Sequence, residues 1–229
     1  MLSSRKPVQI LLFWLLAGGM AVVLAFALDN RVDTALDVSN KPVLRQFAWW
    51  CSKLGEGWVP GLVGILLCVL FIIFRRPDAG AKILFIALTC EFTGFCAIIL
   101  RLVAGRARPH AGIPQGFYGP WHDGHWIAGE YDFSAFPSGH AAMAVGLAAA
   151  TWLVHRGWGA VASLYALAVI WSRVALQAHH LSDIVASIVL AIPLAVLCKK
   201  ILLPFLDSQF SRRLRANETK VHRSSPSSC

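Results

Sequence analysis

The chain has 229 residues, of which 57% are hydrophobic and 14% are charged, and its formal net charge is +9. A soluble domain of this length rarely combines so apolar a composition with so few charges, so an ordinary soluble domain is excluded. The basic charge could indicate nucleic-acid binding, but the positions of the basic residues favour a membrane protein. We expect an all-α fold, namely a polytopic membrane bundle of about six transmembrane helices.

Six apolar runs approach the roughly 20 residues that a helix needs to cross a bilayer. They are residues 8–28, 58–74, 83–100, 138–154, 159–178 and 181–198. The first run is long for a signal-peptide core and no clear cleavage site follows it, so we expect it to be retained. Residues 1–203 are predicted to form one membrane domain, followed by a basic, disordered cytoplasmic tail at 204–229.

The segment 29–57 between the first two spans contains apolar residues at helical spacing. They are Val43, Leu44, Phe47, Trp50 and Leu54. This pattern predicts an amphipathic helix that lies in the membrane interface. A short helix packed against the bundle is the alternative.

The distribution of basic residues predicts the orientation of the chain. If the N-terminus is cytoplasmic, most of the 21 Lys and Arg residues fall inside, which is the positive-inside bias. We therefore expect a multi-pass protein of a bacterial inner membrane with both termini in the cytoplasm; the endoplasmic reticulum is the alternative. Its partners would be membrane lipids rather than nucleic acid, and the sequence does not indicate an oligomeric state.

Three polar clusters then fall on the outer face, and the first is RLVAGRARP at 101–109. Arg101 and Arg108 are seven residues apart, about two helical turns, but Gly105 and Pro109 weaken a helix there, so only proximity is predicted. Two guanidinium groups suit an oxyanion with several acceptor oxygens. The alternative is a pair of interfacial arginines that reach lipid headgroups.

The second cluster is FPSGH at 136–140, after a long loop at 110–136 that we expect to be functional. Pro137 and Ser138 are favourable residues for the start of a helix, and Gly139 allows a ligand close to the backbone. A helix N-terminus attracts anions. His140 would lie in the first turn, where it can transfer a proton, although a capped helix with a structural histidine is the alternative.

The third cluster is SRVALQAHHLSD at 172–183, in which Arg173 adds a third cation. His179 and Asp183 are four residues apart and are predicted to share one helical face. A carboxylate bonded to one imidazole nitrogen leaves the other free to act as base or nucleophile. The alternatives are a structural interfacial pair and a pairing of Asp183 with His180.

Together the clusters suit a phosphate group held by three arginines and a helix N-terminus, beside two histidines and one carboxylate. The sequence contains no paired carboxylates for Mg²⁺ and no Walker-type glycine loop. The pattern therefore favours metal-free phosphoryl chemistry through a phosphohistidine, with no cofactor.

The chain resembles the type 2 phosphatidic acid phosphatase family of integral membrane lipid phosphate phosphatases, which are related to vanadium haloperoxidases. The family carries K-x6-RP, PSGH and SR-x5-H-x3-D. This chain has Arg101-x6-Arg108-Pro109, Pro137-Ser138-Gly139-His140 and Ser172-Arg173-x5-His179-x3-Asp183, in the same order and spacing. Arg101 replaces the family's lysine, which keeps the charge but changes its geometry, and we expect activity to be retained.

The resemblance implies a role for each matched residue. His179 would be the nucleophile, Asp183 would orient it, and His140 would protonate the leaving group and later activate water. The residues implied in phosphate binding are Arg101, Arg108, Ser138, Gly139 and Arg173.

The resemblance also implies a substrate class, a lipid phosphate or pyrophosphate hydrolysed at the outer face. Undecaprenyl pyrophosphate, phosphatidylglycerophosphate, phosphatidic acid and lipid A phosphates are examples. A phosphotransferase with the same site is an alternative. A transporter would place charges through several span centres, where only Glu91 lies deep. A non-catalytic anion- or lipid-binding protein would not need His140, His179 and Asp183 together.

Two other features receive a structural interpretation. We expect Glu91 to be protonated or hydrogen-bonded inside the bundle, with a proton-transfer site as the alternative. His122, Asp123 and His125 could contact zinc, but no further ligand is evident. We expect the loop around them to shape the entrance for a lipid headgroup.

Overall fold

The computed structural model describes residues 5–224, with side-chain positions for 8–210, and it is largely helical. The helices are α1 (Arg5–Leu36), α2 (Pro42–Leu54), α3 (Trp58–Ile73), α4 (Pro77–Ala104), α5 (Gly139–Val154), α6 (Arg156–Ala175) and α7 (Leu181–Ser224). The loop between α4 and α5 contains a short 3-10 helix (Pro109–Ala111) and an antiparallel pair of two-residue strands, β1 (Trp121–His122) and β2 (His125–Trp126). The predicted helical bundle is confirmed over this part of the chain.

Each predicted span coincides with a helix, but within residues 5–224 fewer than six helices are long enough to cross a membrane alone. Four helices, α1, α4, α6 and α7, have the required length and apolar composition. Helices α2 and α3 together would make a fifth span, bent by 51°, while α5 has only 16 residues. The structure thus supports four or five spans, and six remains a prediction.

The outer surface of the bundle is apolar and its interior relies on small residues. On α1, Ile10, Phe13 and Leu16 are 69%, 72% and 75% exposed, which favours a lipid environment. Helix α5 packs against α4, α6 and α7. A Cβ atom on Gly146 of α5 would lie 2.2 Å from Oγ1 of Thr93 in α4, so glycine permits this close approach.

Helix α2 is present where the sequence predicts an amphipathic helix. The residues on its predicted apolar face, such as Val43, Phe47 and Trp50, are exposed, as expected for side chains that contact lipid. Its opposite face buries Ala48 and Ser52, and α2 packs against α6. Its depth in the membrane interface stays a prediction.

Several helix boundaries differ from the predictions. Helix α1 continues to Leu36, about two turns beyond its predicted end at residue 28. Helix α6 ends at Ala175, so His179 lies in the turn before α7, and the prediction that His179 and Asp183 share a helical face is wrong. The predicted domain boundary at 203/204 falls inside α7, which the structure describes to Ser224, and the disordered cytoplasmic tail stays a prediction. Residues 225–229 lie outside the described residues.

Candidate active site

The three polar clusters meet at one end of the bundle. Antiparallel packing brings the C-terminal ends of α4 and α6 beside the N-terminal ends of α5 and α7. His179, in the α6–α7 turn, is close enough to Arg101, Arg108 and Arg173 for all three charges to act on it. The predicted phosphate-binding arginines are therefore brought together around the predicted nucleophile.

His179 is held by a loop carbonyl. Its side chain is 1% exposed, and its Nδ1–H donates to the carbonyl of Ala135 at 2.7 Å. Oδ2 of Asp183 lies 3.6 Å from Nδ1, close enough for charge attraction but too far for a hydrogen bond. Nε2 of His179 is buried and has no partner among the described residues. The Ala135 carbonyl, rather than Asp183, thus fixes the tautomer that leaves Nε2 free.

The surroundings of His179 keep its imidazole neutral. Burial, followed by the positive charges of Arg173 and Arg108, lowers the pKa of His179 well below its ordinary value, while the hydrogen bond to Ala135 acts in the opposite direction. A neutral imidazole with a free nitrogen is the form that can act as a nucleophile.

The start of α5 has the geometry of an anion site. Ser138 is the N-cap, and its Oγ accepts a hydrogen bond from the N–H of Ala141 at 3.4 Å. A Cβ atom on Gly139 would lie 3.8 Å from Nη2 of Arg101, so this guanidinium lies beside the first turn of the helix. Nε2 of His140 is buried and has no partner among the described residues. Helix N–H groups, a cation and a proton donor or acceptor thus lie close together.

The other two predicted phosphate-binding arginines are oriented by neutral groups. Arg108 donates to three carbonyls: Nε to Tyr131 (2.7 Å), Nη1 to Ala178 (3.3 Å) and Nη2 to Ser134 (3.1 Å). Nη1 of Arg173 donates to Oγ of Ser52 in α2 at 2.5 Å.

None of Arg101, Arg108 and Arg173 forms an ion pair with a carboxylate of residues 8–210. Their positive charges are therefore available to an anionic ligand.

A buried ion-pair network behind the site was not predicted. Arg106 is 1% exposed; its Nη2 lies 2.7 Å from Oδ2 of Asp29, and its Nη1 forms a short ion pair with Oδ1 of Asp183. The rings of Phe26, Phe117 and Phe136 surround the guanidinium. The available signal was the position of Arg106 in RLVAGRARP, two residues before Arg108.

His180, the neighbour of His179, contacts α1 instead of Asp183 through its side chain. Its Nδ1–H donates to Oδ2 of Asp33 at 2.6 Å. Its backbone N–H donates to Oδ2 of Asp183 at 2.8 Å, so Asp183 caps the start of α7. The two adjacent histidines therefore point their Nδ1 atoms at different elements.

The fold also places His122, His125 and Glu91, for which the sequence favours a structural role. His122 and His125 face each other across the β1–β2 pair, and within the described residues no group of three or more His, Cys, Asp or Glu side chains could hold a metal ion. Glu91 belongs to α4 and its side chain faces α3, where a Cβ atom on Gly61 would be 2.8 Å from its Oε1.

Two adjoining cavities of about 620 and 510 Å³ open between α2 and the turn after α6. They share the lining residues Ser39, Arg45 and Leu176. The smaller cavity reaches Tyr131, whose ring centroid is 3.9 Å from Cζ of Arg108.

The fold and the site define the class: a helical membrane protein whose clustered arginines and histidines suit phosphoryl chemistry. The family model described as the PAP2 superfamily matches residues 79–205, and the chain belongs to this superfamily. The resemblance seen in the motifs is thereby confirmed, and membership supports a phosphatase.

One solved structure shares the fold. LpxE of Aquifex aeolicus superposes with a TM-score of 0.53 at 21% sequence identity, over 76% of this chain and 95% of that one. No curated protein matches the sequence.

Proposed function

We propose that the protein is an integral membrane phosphatase that hydrolyses a lipid phosphate or pyrophosphate through a metal-independent phosphohistidine. Nε2 of His180 is also buried without a partner among the described residues, but the observation that carries this proposal is the same condition of Nε2 in His179 and in His140. They lie beside three arginines that form no ion pair there. Membership of the PAP2 superfamily supports the same activity.

In the first step, Nε2 of His179 attacks phosphorus and forms an N–P bond as the P–O bond to the lipid breaks. His140 gives a proton to the leaving oxygen. The nearby carboxylate of Asp183 stabilises the positive charge that develops on the imidazole. Charge on the phosphoryl oxygens is stabilised by the N–H groups at the start of α5 and by side chains of the site, which are Arg101, Arg108, Ser138 and Arg173.

In the second step, water attacks the phosphohistidine while His140 accepts a proton from it. The N–P bond breaks, inorganic phosphate leaves, and both histidines return to their starting forms. The site lies where helices end, which suits a lipid whose phosphate is at the membrane surface and whose tails remain in the bilayer. The bias of basic residues supports the outer face.

The test is phosphate release by the purified protein in detergent from a panel of lipid phosphates, with and without EDTA. We expect release from at least one lipid, no effect of EDTA, and loss of release in His179→Ala. His125→Ala is the matched control, because this loop histidine is exposed and its Nδ1 lies 3.4 Å from the carbonyl of Asp123 in the same hairpin.

Each other outcome identifies a specific error. Loss of activity in EDTA would rule out a metal-independent reaction. A phosphorylated second lipid, detected by mass spectrometry in place of free phosphate, would indicate a phosphotransferase. Normal release by His179→Ala would show that another residue, with His180 the first to test, is the nucleophile.

A further inference from the structure

The last two turns of α1 carry two buried carboxylates that face the catalytic segment 177–183. Asp29 is fully buried and Asp33 is 7% exposed, and the two residues are four apart on one face of α1. Buried carboxylates are costly unless they are paired and hydrogen-bonded, so their partners indicate what they do.

Asp29 binds the start of α7 directly. Its Oδ1 accepts a hydrogen bond from the N–H of Ser182 at 2.8 Å, and its Oδ2 accepts one from Oγ of Ser182 at 2.6 Å. Oδ2 also accepts from Nη2 of Arg106 at 2.7 Å. Asp29 therefore holds the residue before Asp183 and the arginine that pairs with Asp183.

Asp33 holds the other part of the segment. Its Oδ2 accepts from Nδ1 of His180, and its backbone carbonyl accepts from Nε2 of Gln177 at 2.8 Å. Gln177 has a positive φ of 55° and lies at the turn that leads out of α6. His179 is thus flanked on both sides by residues bonded to α1.

The position of Asp183 follows from these contacts. One of its oxygens pairs with Arg106 and the other accepts from the backbone N–H of His180. The guanidinium of Arg106 is also bonded to Asp29, and the side chain of His180 is bonded to Asp33. The aromatic rings around Arg106 leave its guanidinium little freedom to move. Displacement of α1 would therefore shift Asp183 relative to the imidazole of His179.

We propose that Asp29 and Asp33 are positioning residues, and that α1 is part of the catalytic machinery because it fixes His179 and Asp183 against the phosphate site. This inference rests on the proposed function. Helix α1 precedes residues 79–205, so the family match does not include it. Attachment of α1 alone would not require buried carboxylates, since α1 already contacts α7 elsewhere, as in the bond from Nε1 of Trp14 to the carbonyl of Val189.

The test compares Asp29→Asn and Asp33→Asn in the full-length protein with Asp37→Asn, whose carboxylate accepts hydrogen bonds from Ser39 just after α1. We expect Asp29→Asn to lower kcat by about 10- to 100-fold, because small displacements of reacting groups have effects of that size. Asp33→Asn should lower kcat less. KM and inhibition by inorganic phosphate should change by less than about threefold, because the phosphate-binding arginines are untouched.

A double-mutant cycle separates positioning from a general structural effect. If Asp29 acts through Arg106, the combined Asp29→Asn and Arg106→Lys variant should be no slower than the slower single variant. Additive losses, a kcat equal to that of Asp37→Asn, or a raised KM with unchanged kcat would each overturn the proposal. If Asp29→Asn does not fold, Ser182→Ala replaces it in the test. This substitution removes the hydroxyl that donates to Asp29 and keeps the charges of Asp29 and Arg106.

The same preparations distinguish this inference from the proposed function. Phosphate release by the wild type and its loss in His179→Ala test the phosphatase. If both hold while Asp29→Asn behaves like its control, only the role of α1 is wrong. If the wild type releases no phosphate from any lipid, the proposed function is wrong and the role assigned to α1 in that reaction falls with it.

Discussion

Two groups of charged side chains flank the segment 177–183, and they differ in how their charges are balanced. On the substrate side, Arg101, Arg108 and Arg173 form no ion pair within residues 8–210 and are oriented by carbonyls, a hydroxyl and packing. On the α1 side, Arg106 is bonded to two carboxylates, and Asp33 is bonded to His180.

This difference separates binding from positioning. A partly buried cation without a counter-charge is costly in the free protein, and an incoming phosphate would supply that charge. A cation that is already paired with two buried carboxylates attracts an anionic ligand only weakly. It does, however, connect the two helices to which those carboxylates belong. Substitutions on the two sides should therefore have different effects on activity and on stability.

The largest expected effect distinguishes the two adjacent histidines. His179→Ala should lower kcat by about 10⁴-fold or more, because removal of a nucleophile eliminates the covalent route. His180→Ala should retain measurable turnover, since its side chain contacts α1. Trapping of an acid-labile phosphoenzyme from ³²P-labelled substrate checks this: it should form with His180→Ala and be absent with His179→Ala. If the phosphoenzyme instead forms with His179→Ala and not with His180→Ala, then His180 is the nucleophile.

The second prediction compares one arginine from each side. Arg173→Gln should lower kcat/KM by roughly 10²- to 10³-fold, because a charge-stabilising donor is lost, with little change in Tm. Arg106→Gln should lower the free energy of unfolding by about 3–5 kcal/mol, because it leaves two buried carboxylates unpaired. Steady-state kinetics and thermal unfolding in detergent measure both. A large fall in Tm for Arg173→Gln would contradict its assignment to binding.

The third prediction concerns the pH dependence of stability. The pKa of His179 is lowered in the folded protein, whereas in the unfolded chain it is about 6.5. The unfolded state therefore binds a proton first, so this residue's stabilising contribution is present above pH 6.5 and is lost as pH falls below it, by up to about 1.4 kcal/mol per pH unit. Between pH 7 and 5, Tm should fall more for the wild type than for His179→Gln. Equal falls would mean that His179 takes up a proton while folded.

The smallest effect is expected at Arg101. Arg101→Lys restores the family residue and keeps the charge, so kcat/KM should change by less than about tenfold in either direction. Arg101→Gln, which removes the charge, should lower kcat/KM much more than Arg101→Lys does. Equal losses in both variants would show that the planar guanidinium, and not only its charge, is required beside Gly139.

Local sequence was sufficient for much of the fold. Hydropathy located every long helix, because a long apolar run directly identifies a segment that must be removed from water. Ser138 predicted the start of α5, since an N-cap acts on its own first turn. The motif spacing also identified the three clusters whose side chains meet around His179, because each motif occupies a single helix end or turn.

Tertiary structure decided the features that depend on distant partners. Helix α1 extends to Leu36 with Asp29 and Asp33 buried, because Arg106 and His180 bond to them from 77 and 147 residues away. The tautomer of His179 depends on a carbonyl 44 residues distant rather than on the carboxylate four residues along. Hydrophobic periodicity and capping act over a few residues, whereas the partner of a buried charge is set by how the helices pack. The sequence by itself therefore determined the helices and the reactive residues, and packing determined which groups hold them in place.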